Sequence, residues 1–209
     1  MVWSFVWVVE PRGDWIDRWA FDPSLVDFSP DTFWNGSQWM ALSMRVITAQ
    51  FVHVDWIHLL GNVAYFFVFG VQVERRVGFV FLLLSTLMIG GLGYAAPAFF
   101  DLQADVIVAG ASGAVSGMLG LYLVVCSREP VGIWLPLGLV PQRFKLPAWV
   151  LIGSWLAVQL IFALNATTYP TVAVASHFSG FVAGLSFGVL FRAVNGGQQS
   201  SHRKRFHYV

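Results

Sequence analysis

The chain has 209 residues, of which 57% are hydrophobic and 11% are charged, and its mean hydropathy is +0.68. Soluble domains carry about 25% charged residues, so this composition excludes an ordinary cytosolic globular protein and a disordered chain. The net charge of +1 provides no basic field for nucleic acid, and the single Cys126 excludes an intrachain disulfide and a CxxC-type metal site. The sequence therefore predicts an integral membrane protein.

Five apolar segments predict membrane-spanning helices, because a helix needs ~20 mostly apolar residues to cross ~30 Å of hydrocarbon. Their short connectors place consecutive helices antiparallel in one bundle. We therefore predict an all-α, polytopic membrane domain over residues 1–194, followed by a basic, disordered tail at 195–209. The segments are Trp56–Val73, Phe79–Phe100, Val106–Cys126, Pro147–Ala166 and Thr171–Val194, and the connectors are Glu74–Gly78, Asp101–Asp105 and Asn165–Pro170.

Two regions lie outside these spans. Residues 1–52 precede the helical core at 53–194 and form an N-terminal segment and a tryptophan-rich loop, which is typical of the headgroup region. Within them, Met1–Val9 is apolar but about half a span long. It is either a short or truncated first helix or an interfacial segment. Residues Ser127–Lys145 are interpreted as an interfacial hairpin-like loop.

The distribution of Lys and Arg predicts the orientation, since cytoplasmic loops carry an excess of both. With the first full span running inward, the outer side holds Arg12, Arg18 and Arg45. We therefore expect a cytoplasmic C terminus in a bacterial-type plasma membrane, with the first loop outside. The inner side holds the other nine basic residues, Arg75, Arg76, Arg128, Arg143, Lys145, Arg192, Arg203, Lys204 and Arg205.

Four polar side chains are predicted to share one layer near the outer surface. Polar groups inside spans are costly, so they are treated as functional hypotheses. Ser112 and His177 each lie six residues into a span that starts outside, which is ~9 Å deep at 1.5 Å per residue. His58 and Asn62 are four residues apart near the outer end of the first full span and share one helix face.

Glycine spacing predicts that the helices carrying Ser112 and His177 approach closely. Small residues at four-residue spacing let membrane helices pack until their backbones nearly touch. A short serine side chain needs such an approach to reach a histidine on another helix. The spaced glycines are Gly113 and Gly117 in the third span, and Gly180, Gly184 and Gly188 in the fifth.

These residue types suggest a Ser–His dyad. A serine hydroxyl is a weak nucleophile until a neighbouring base takes its proton, and His177 is the candidate base. The last three spans contain no Asp or Glu, so a dyad is simpler than a triad. Asn62, His58 and the backbone N–H of Ser112, flanked by Gly110 and Gly113, are candidate donors to an oxyanion.

Other interpretations remain open on the residues alone. Ser112 and the glycines can serve helix packing, and His177 can make a structural hydrogen bond. A metal site formed by His53, His58 and His177 is conceivable, although no HExxH motif is present. A small transporter or channel could use the polar layer as a binding site. That function would require polar residues to continue into the inner halves of the spans, and they largely stop there. We therefore predict no metal site.

The motifs together resemble those of the rhomboid intramembrane serine proteases. The matching strings are His53-Val-Asp-Trp-Ile-His58-Leu-Leu-Gly-Asn62, Gly110-Ala-Ser112-Gly113 and Ser176-His177-Phe-Ser-Gly180-Phe-Val-Ala-Gly184. Glu74-Arg-Arg-Val-Gly78 is similar to the family's Glu-x-x-x-Gly after its second helix. These strings occur in the family's order.

The resemblance implies a helical bundle in which Ser112 is the nucleophile and His177 the general base. It implies an oxyanion hole built from His58, Asn62 and the Ser112 backbone. It also implies that the substrates are single-pass membrane proteins, cut in the bilayer near the outer end of their transmembrane segment. It implies no cofactor, metal or ATP. Residues implied to support the structure are His53, Arg45, Glu74, Gly180 and Gly184.

Two departures from the family pattern are visible. The loop before the second helix usually carries Trp-Arg and here reads Met44-Arg45, so the charge is kept and the indole is lost or replaced by Trp39. The family core has six helices, and the first is only partly visible here. The alternative function is therefore a catalytically impaired rhomboid-like protein that binds transmembrane clients.

Overall fold

The structure is a computed structural model that describes residues 7–8, 18–25, 29, 35–99, 107–127, 129–137, 140–165 and 171–205. Its helices are α1 (Gly36–Thr48), α2 (Trp56–Val77), α3 (Phe79–Phe99), α4 (Ser112–Val125), α5 (Ala148–Leu164) and α6 (Thr171–Arg205). Its strands are β1 (Trp7–Val8), β2 (Val52–His53), β3 (Pro130–Leu137) and β4 (Val140–Pro147). Strand β1 pairs with β2 in parallel, and β3 pairs with β4 in antiparallel fashion.

Four of the five predicted spans begin within one residue of an observed helix, at α2, α3, α5 and α6. Two helical stretches among the described residues, Trp56–Val77 and Ala173–Asn195, are long and apolar enough to cross a membrane. Helices α3, α4 and α5 contain shorter apolar stretches of 10–17 residues. The mostly helical architecture is therefore confirmed, whereas the prediction of five full spans is not.

The prediction that the third span is helical from Val106 is wrong, because α4 begins only at Ser112. Val108 instead forms an antiparallel bridge with Phe21. Gly110 has a φ of +111°, a left-handed conformation that cannot continue an α-helix. Ser112 is therefore the first residue of α4 and does not lie six residues into a helix.

Three further predictions need correction. The fold is not purely helical. Trp7–Val8, within the predicted short N-terminal helix, is a strand that pairs with Val52–His53. The loop predicted before the helical core contains helix α1, and α6 continues to Arg205 where a disordered tail was expected after Val194. The predicted hairpin at Ser127–Lys145 is confirmed by β3 and β4, whose register places Pro130 opposite Pro147.

Some predictions fall outside the described residues. These are the connector at 101–105, residues 166–170 of the connector before α6, the rest of the segment Met1–Val9, and the basic residues Arg12 and Arg128.

Helix α4 is the centre of the bundle. Every residue from Gly113 to Tyr122 is buried, because α2, α3 and α6 all pack against it. The contact with α6 is the closest: a Cβ atom on Gly180 would overlap the carbonyl oxygen of Gly113, and one on Gly184 would overlap that of Gly117. The predicted close approach of these two helices through glycine is therefore confirmed.

Helices α2 and α5 expose large apolar side chains on the outside of the bundle. Contiguous exposed apolar surface of this kind is unusual for a protein in water and suits contact with lipid chains. Examples on α2 are Trp56, Ile57, Leu60, Val63 and Phe67, and examples on α5 are Trp149, Leu160, Ile161 and Leu164.

The contact between α4 and α6 predicts opposite effects for two glycine-to-alanine substitutions. Alanine favours a helix over glycine by about 1 kcal/mol, and a Cβ atom added to Gly153 on α5 would meet no atom within 4 Å, so Gly153→Ala should leave stability unchanged or raise it. Gly184→Ala should lower the free energy of unfolding by about 1–3 kcal/mol, because the new methyl group overlaps the α4 backbone. Unfolding midpoints of the detergent-solubilised proteins measure both effects, and equal stabilisation by both substitutions would contradict the packing described here.

Candidate active site

The side chains of Ser112 and His177 meet between α4 and α6. The distance from Ser112 Oγ to His177 Nε2 is 2.7 Å, which is within hydrogen-bond range. Ser112 is the first residue of α4, and His177 lies six residues after the start of α6 at Thr171. The glycine contacts that follow along both helices hold the two backbones close enough for this short side chain to reach the imidazole.

The chain immediately before Ser112 is fixed by contacts to Gly110. The Gly110 N–H donates to the carbonyl of Ala49 at 2.9 Å, and the Gly110 carbonyl accepts from the hydroxyl of Tyr94. The His58 ring lies against its α-carbon, so that a Cβ atom there would meet His58 Cε1 at 2.5 Å. Glycine is therefore required at position 110 for its positive φ and for the space that His58 occupies.

Residues of the N-terminal region also hold the loop before Ser112. Phe21 exchanges two backbone hydrogen bonds with Val108, at 2.9 and 2.7 Å, and its ring stacks on Tyr94 at 5.8 Å between centroids. Arg45 on α1 donates to the carbonyl of Ala20 at 3.5 Å. Trp39 packs beside this cluster. Arg45 thus lies away from the dyad and joins α1 to the segment that pairs with the Ser112 loop.

His53 and Asn62 form a buried pair on the other side of the loop. Asn62 Nδ2 donates to His53 Nε2 at 3.0 Å, and the N–H of Ala111 points to the same nitrogen at 3.4 Å. Burial, with a smaller contribution from His58, lowers the pKa of His53 from 6.5 to about 4. His53 is therefore neutral at physiological pH and its Nε2 can accept both N–H groups.

The start of α2 positions His58 and Asn62. The side chain of Asp55 caps the helix by accepting from the N–H of His58 at 2.7 Å, which satisfies one of the free donors in the first turn. The rings of His53 and His58 lie 5.1 Å apart, edge to face. His58 is half-buried and Asn62 is buried at 9% exposure, so both face the Ser112 loop side of α2.

Two residues of α5 complete the surroundings of His177, and the sequence interpretation missed both. Gln159 Oε1 lies 2.7 Å from His177 Nδ1, and Gln159 is only 4% exposed. The Trp155 ring centroid lies 6.3 Å from that of His177. The sequence does carry a signal for Gln159, since an amide in an otherwise apolar span is costly unless it is bonded. The interpretation missed it because only carboxylates were considered as a third residue.

The corrected start of α4 adds backbone donors to the site. The first N–H groups of a helix have no partner within it, and they carry a partial positive charge. Val115 N–H is the donor that closes the first turn, to the carbonyl of Ala111 at 2.8 Å. The N–H groups of Ser112 and Gly113 precede this bond, at the helix end that carries the Ser112 hydroxyl.

Glu74 is not part of this constellation. It lies at the opposite end of α2, is exposed, and its carbonyl accepts from the N–H of Gly78 to end the helix. On that side the described ion pair joins Arg76 to Glu129 on the segment before β3.

A cavity of about 290 Å³ adjoins the site between α2 and α3. Next to the site it is lined by His53, Asn62 and Ala111, and Phe66 and Leu83 are among its apolar lining residues. The cavity therefore connects the buried amide of Asn62 to apolar space between the two helices.

Both ring nitrogens of His177 already lie 2.7 Å from protein atoms, Ser112 Oγ and Gln159 Oε1. Within the described part of the chain, no group of three or more His, Cys, Asp or Glu side chains is arranged to hold a metal ion.

Comparisons with known proteins agree with the sequence motifs. The mitochondrial RHOMBOID-like protein 6 of Arabidopsis thaliana is 31% identical to this chain over 146 residues, which cover 70% of this chain and 43% of that protein. The rhomboid protease GlpG of Photorhabdus laumondii is 29% identical over 157 residues, covering 72% of this chain and 48% of the relative. GlpG of Haemophilus influenzae is 28% identical over 152 residues, which cover 70% of this chain and 68% of that protein.

This chain thus spans about half the length of the first two of these relatives. The family model described as the rhomboid domain matches residues 41–194, which is most of the chain and includes Ser112, His177 and Gln159. The chain therefore belongs to the rhomboid family, a family of helical integral membrane proteins that includes the GlpG proteases.

Proposed function

We propose that this chain is an intramembrane serine endopeptidase that uses Ser112 as nucleophile and His177 as general base. The observation that carries the proposal is the 2.7 Å contact between Ser112 Oγ and His177 Nε2. An unprotonated Nε2 at this distance can take the hydroxyl proton while Oγ attacks a carbonyl carbon. The family relationship supports the same activity, since several relatives are rhomboid proteases.

The first half of the reaction forms an acyl-enzyme. Ser112 Oγ attacks the scissile carbonyl and its proton passes to His177 Nε2. The resulting imidazolium gives that proton to the leaving amine as the C–N bond breaks. In the second half, a water molecule gives a proton to His177 Nε2 while its oxygen attacks the ester carbonyl. The bond from the carbonyl carbon to Ser112 Oγ then breaks, and Oγ takes that proton back from His177, which releases the acid product and restores the Ser112 hydroxyl.

Negative charge on the carbonyl oxygen is stabilised by donors around Ser112. One N–H of the Asn62 amide is directed to His53, which leaves the second N–H for the oxyanion. The N–H groups of Ser112 and Gly113 at the start of α4 add backbone donors and the positive end of the helix dipole. The His58 ring, held over Gly110, is the remaining candidate donor.

The substrates are single-pass transmembrane proteins whose helix unwinds near its outer end, because an amide inside an intact helix is shielded from attack. The exposed apolar surfaces of α2 and α5 suit entry of such a segment from lipid. In the membrane, the chain is multi-pass with a cytoplasmic C terminus, and the dyad opens to the outer side. The excess of Lys and Arg at the opposite ends of the spans supports this orientation. No cofactor takes part in the proposed chemistry.

Substitution of either dyad residue should abolish proteolysis. We expect purified protein in proteoliposomes to cleave a single-pass model substrate, and Ser112→Ala or His177→Ala to reduce kcat at least about 10³-fold, as in other serine proteases. The matched control is Ser186→Ala on α6, whose hydroxyl is exposed and bonds within its own helix at 2.9 Å. Gel analysis of the products measures cleavage by wild type, by both dyad variants and by the control.

Two results of that assay would contradict the proposal. Equal cleavage by wild type and both dyad variants would refute the roles of Ser112 and His177. Binding of the substrate by wild type without any cleavage would instead support the client-binding alternative.

Asn62 should contribute to the chemical step. Loss of one oxyanion donor typically costs about 10²–10³ in kcat, so we expect Asn62→Ala to lower kcat by that factor with little change in KM. Asn165→Ala, at the exposed end of α5, removes an amide that bonds only to the Ile161 carbonyl among its described side-chain bonds and should have no effect. An unchanged kcat in correctly folded Asn62→Ala would exclude Asn62 from the oxyanion site.

A further inference from the structure

We propose that Gln159 is the positioning residue of the dyad, and that its neutral amide holds His177 as a carboxylate does in a catalytic triad. This inference rests on the proposed function. The contacts form one chain across three helices, from Gln159 Oε1 on α5 to His177 Nδ1 on α6, and from His177 Nε2 to Ser112 Oγ on α4. Both distances are 2.7 Å.

The number of protons on the imidazole fixes the direction of both hydrogen bonds. A neutral imidazole carries one N–H, and Nε2 must be bare if it is to accept the Ser112 proton. The N–H is then on Nδ1, where it faces an oxygen that can only accept. Gln159 therefore favours the tautomer that the reaction needs, and it continues to accept the same N–H when His177 becomes an imidazolium.

Burial explains why the side chain is present at this position. Gln159 is 4% exposed on a helix that is otherwise almost wholly apolar. An unbonded amide buried in such surroundings costs free energy, whereas a bonded one does not. A carboxylate at the same place would place a charge in an apolar environment, and the last three spans contain no Asp or Glu. The neutral acceptor is the less costly way to orient the imidazole here.

Trp155 is a second residue of α5 that lies beside the imidazole of His177. It lies one helical turn before Gln159 on α5, and its ring is 6.3 Å from that of His177 at an angle of 54°. The same indole stacks on Phe181 of α6 at 5.8 Å. Helix α5 thus contacts α6 at His177 through the Gln159 hydrogen bond, and at His177 and Phe181 through the Trp155 ring.

Three variants test this role in the full-length protein. Gln159→Leu keeps the size but removes the acceptor, Gln159→Glu keeps an acceptor and adds a charge, and Ser154→Leu alters an exposed polar residue on the same helix as a control. We expect Gln159→Leu to lower kcat about 10- to 100-fold with KM changed less than about twofold, because the base is misoriented while substrate binding is untouched.

The pH–rate profile separates positioning from a merely structural contribution. In contrast to Gln159→Leu, Gln159→Glu should keep kcat within about threefold of wild type, because it retains an acceptor for the His177 N–H. Its acidic limb in the plot of kcat against pH should lie at least about half a unit higher than that of wild type, since a carboxylate stabilises the imidazolium. The described titratable side chain that acts electrostatically on His177 is His58 on α2, and it is unchanged in all variants. Ser154→Leu should match wild type.

The proposal is overturned if Gln159→Leu keeps the wild-type kcat. It is also overturned if kcat falls but Gln159→Glu neither restores it nor shifts the acidic limb, since Gln159 would then act through packing alone. A second readout does not depend on cleavage: ¹⁵N NMR of histidine-labelled protein should show the His177 proton on Nδ1 in wild type and a mixture of tautomers in Gln159→Leu. Absence of cleavage by wild type with this NMR result would contradict the protease proposal but not the positioning by Gln159.

Discussion

The contact between α4 and α6 is the constraint on which the site depends. Glycine at positions 117, 120, 180 and 184 removes the Cβ atoms that would otherwise separate the two backbones. The serine side chain has one rotatable bond to its oxygen, so it can reach an imidazole on another helix only at such a separation. The same packing that stabilises the centre of the bundle therefore sets the 2.7 Å distance between Ser112 and His177.

The site is assembled at the ends of elements, where backbone groups are free to act. Ser112 begins α4, and His58 lies in the first turn of α2, which Asp55 caps. The loop before Ser112 has no regular helix to hold it, so it is held by partners from distant parts of the chain: Phe21, Ala49 and Tyr94. This arrangement explains why described residues of the N-terminal region such as Phe21, which carry none of the proposed catalytic groups, pack beside the site.

Much of this could be predicted from sequence, because apolar length and glycine spacing are local signals. They indicated the starts of α2, α3, α5 and α6 and the approach of α4 to α6. The start of α4 was missed because residues 106–111 are as apolar as a helix, and only the conformation of Gly110 and the pairing of Val108 with Phe21 reveal the break. Gln159 is visible in the sequence as a costly amide in an apolar span. Its bond to His177 depends on which helix lies beside α6, and helix neighbours are a tertiary property that spacing along one segment does not encode.

The central claim is that the contact with His177 makes Ser112 an activated nucleophile, and covalent labelling tests it most directly. A fluorophosphonate probe should form a stoichiometric adduct that peptide mass spectrometry places on Ser112, since only an activated serine reacts readily with it. The adduct should be lost in His177→Ala, although the Ser112 hydroxyl is still present. Equal labelling of Ser112 without His177, or an adduct on a different serine in a protein that cleaves its substrate, would contradict the account.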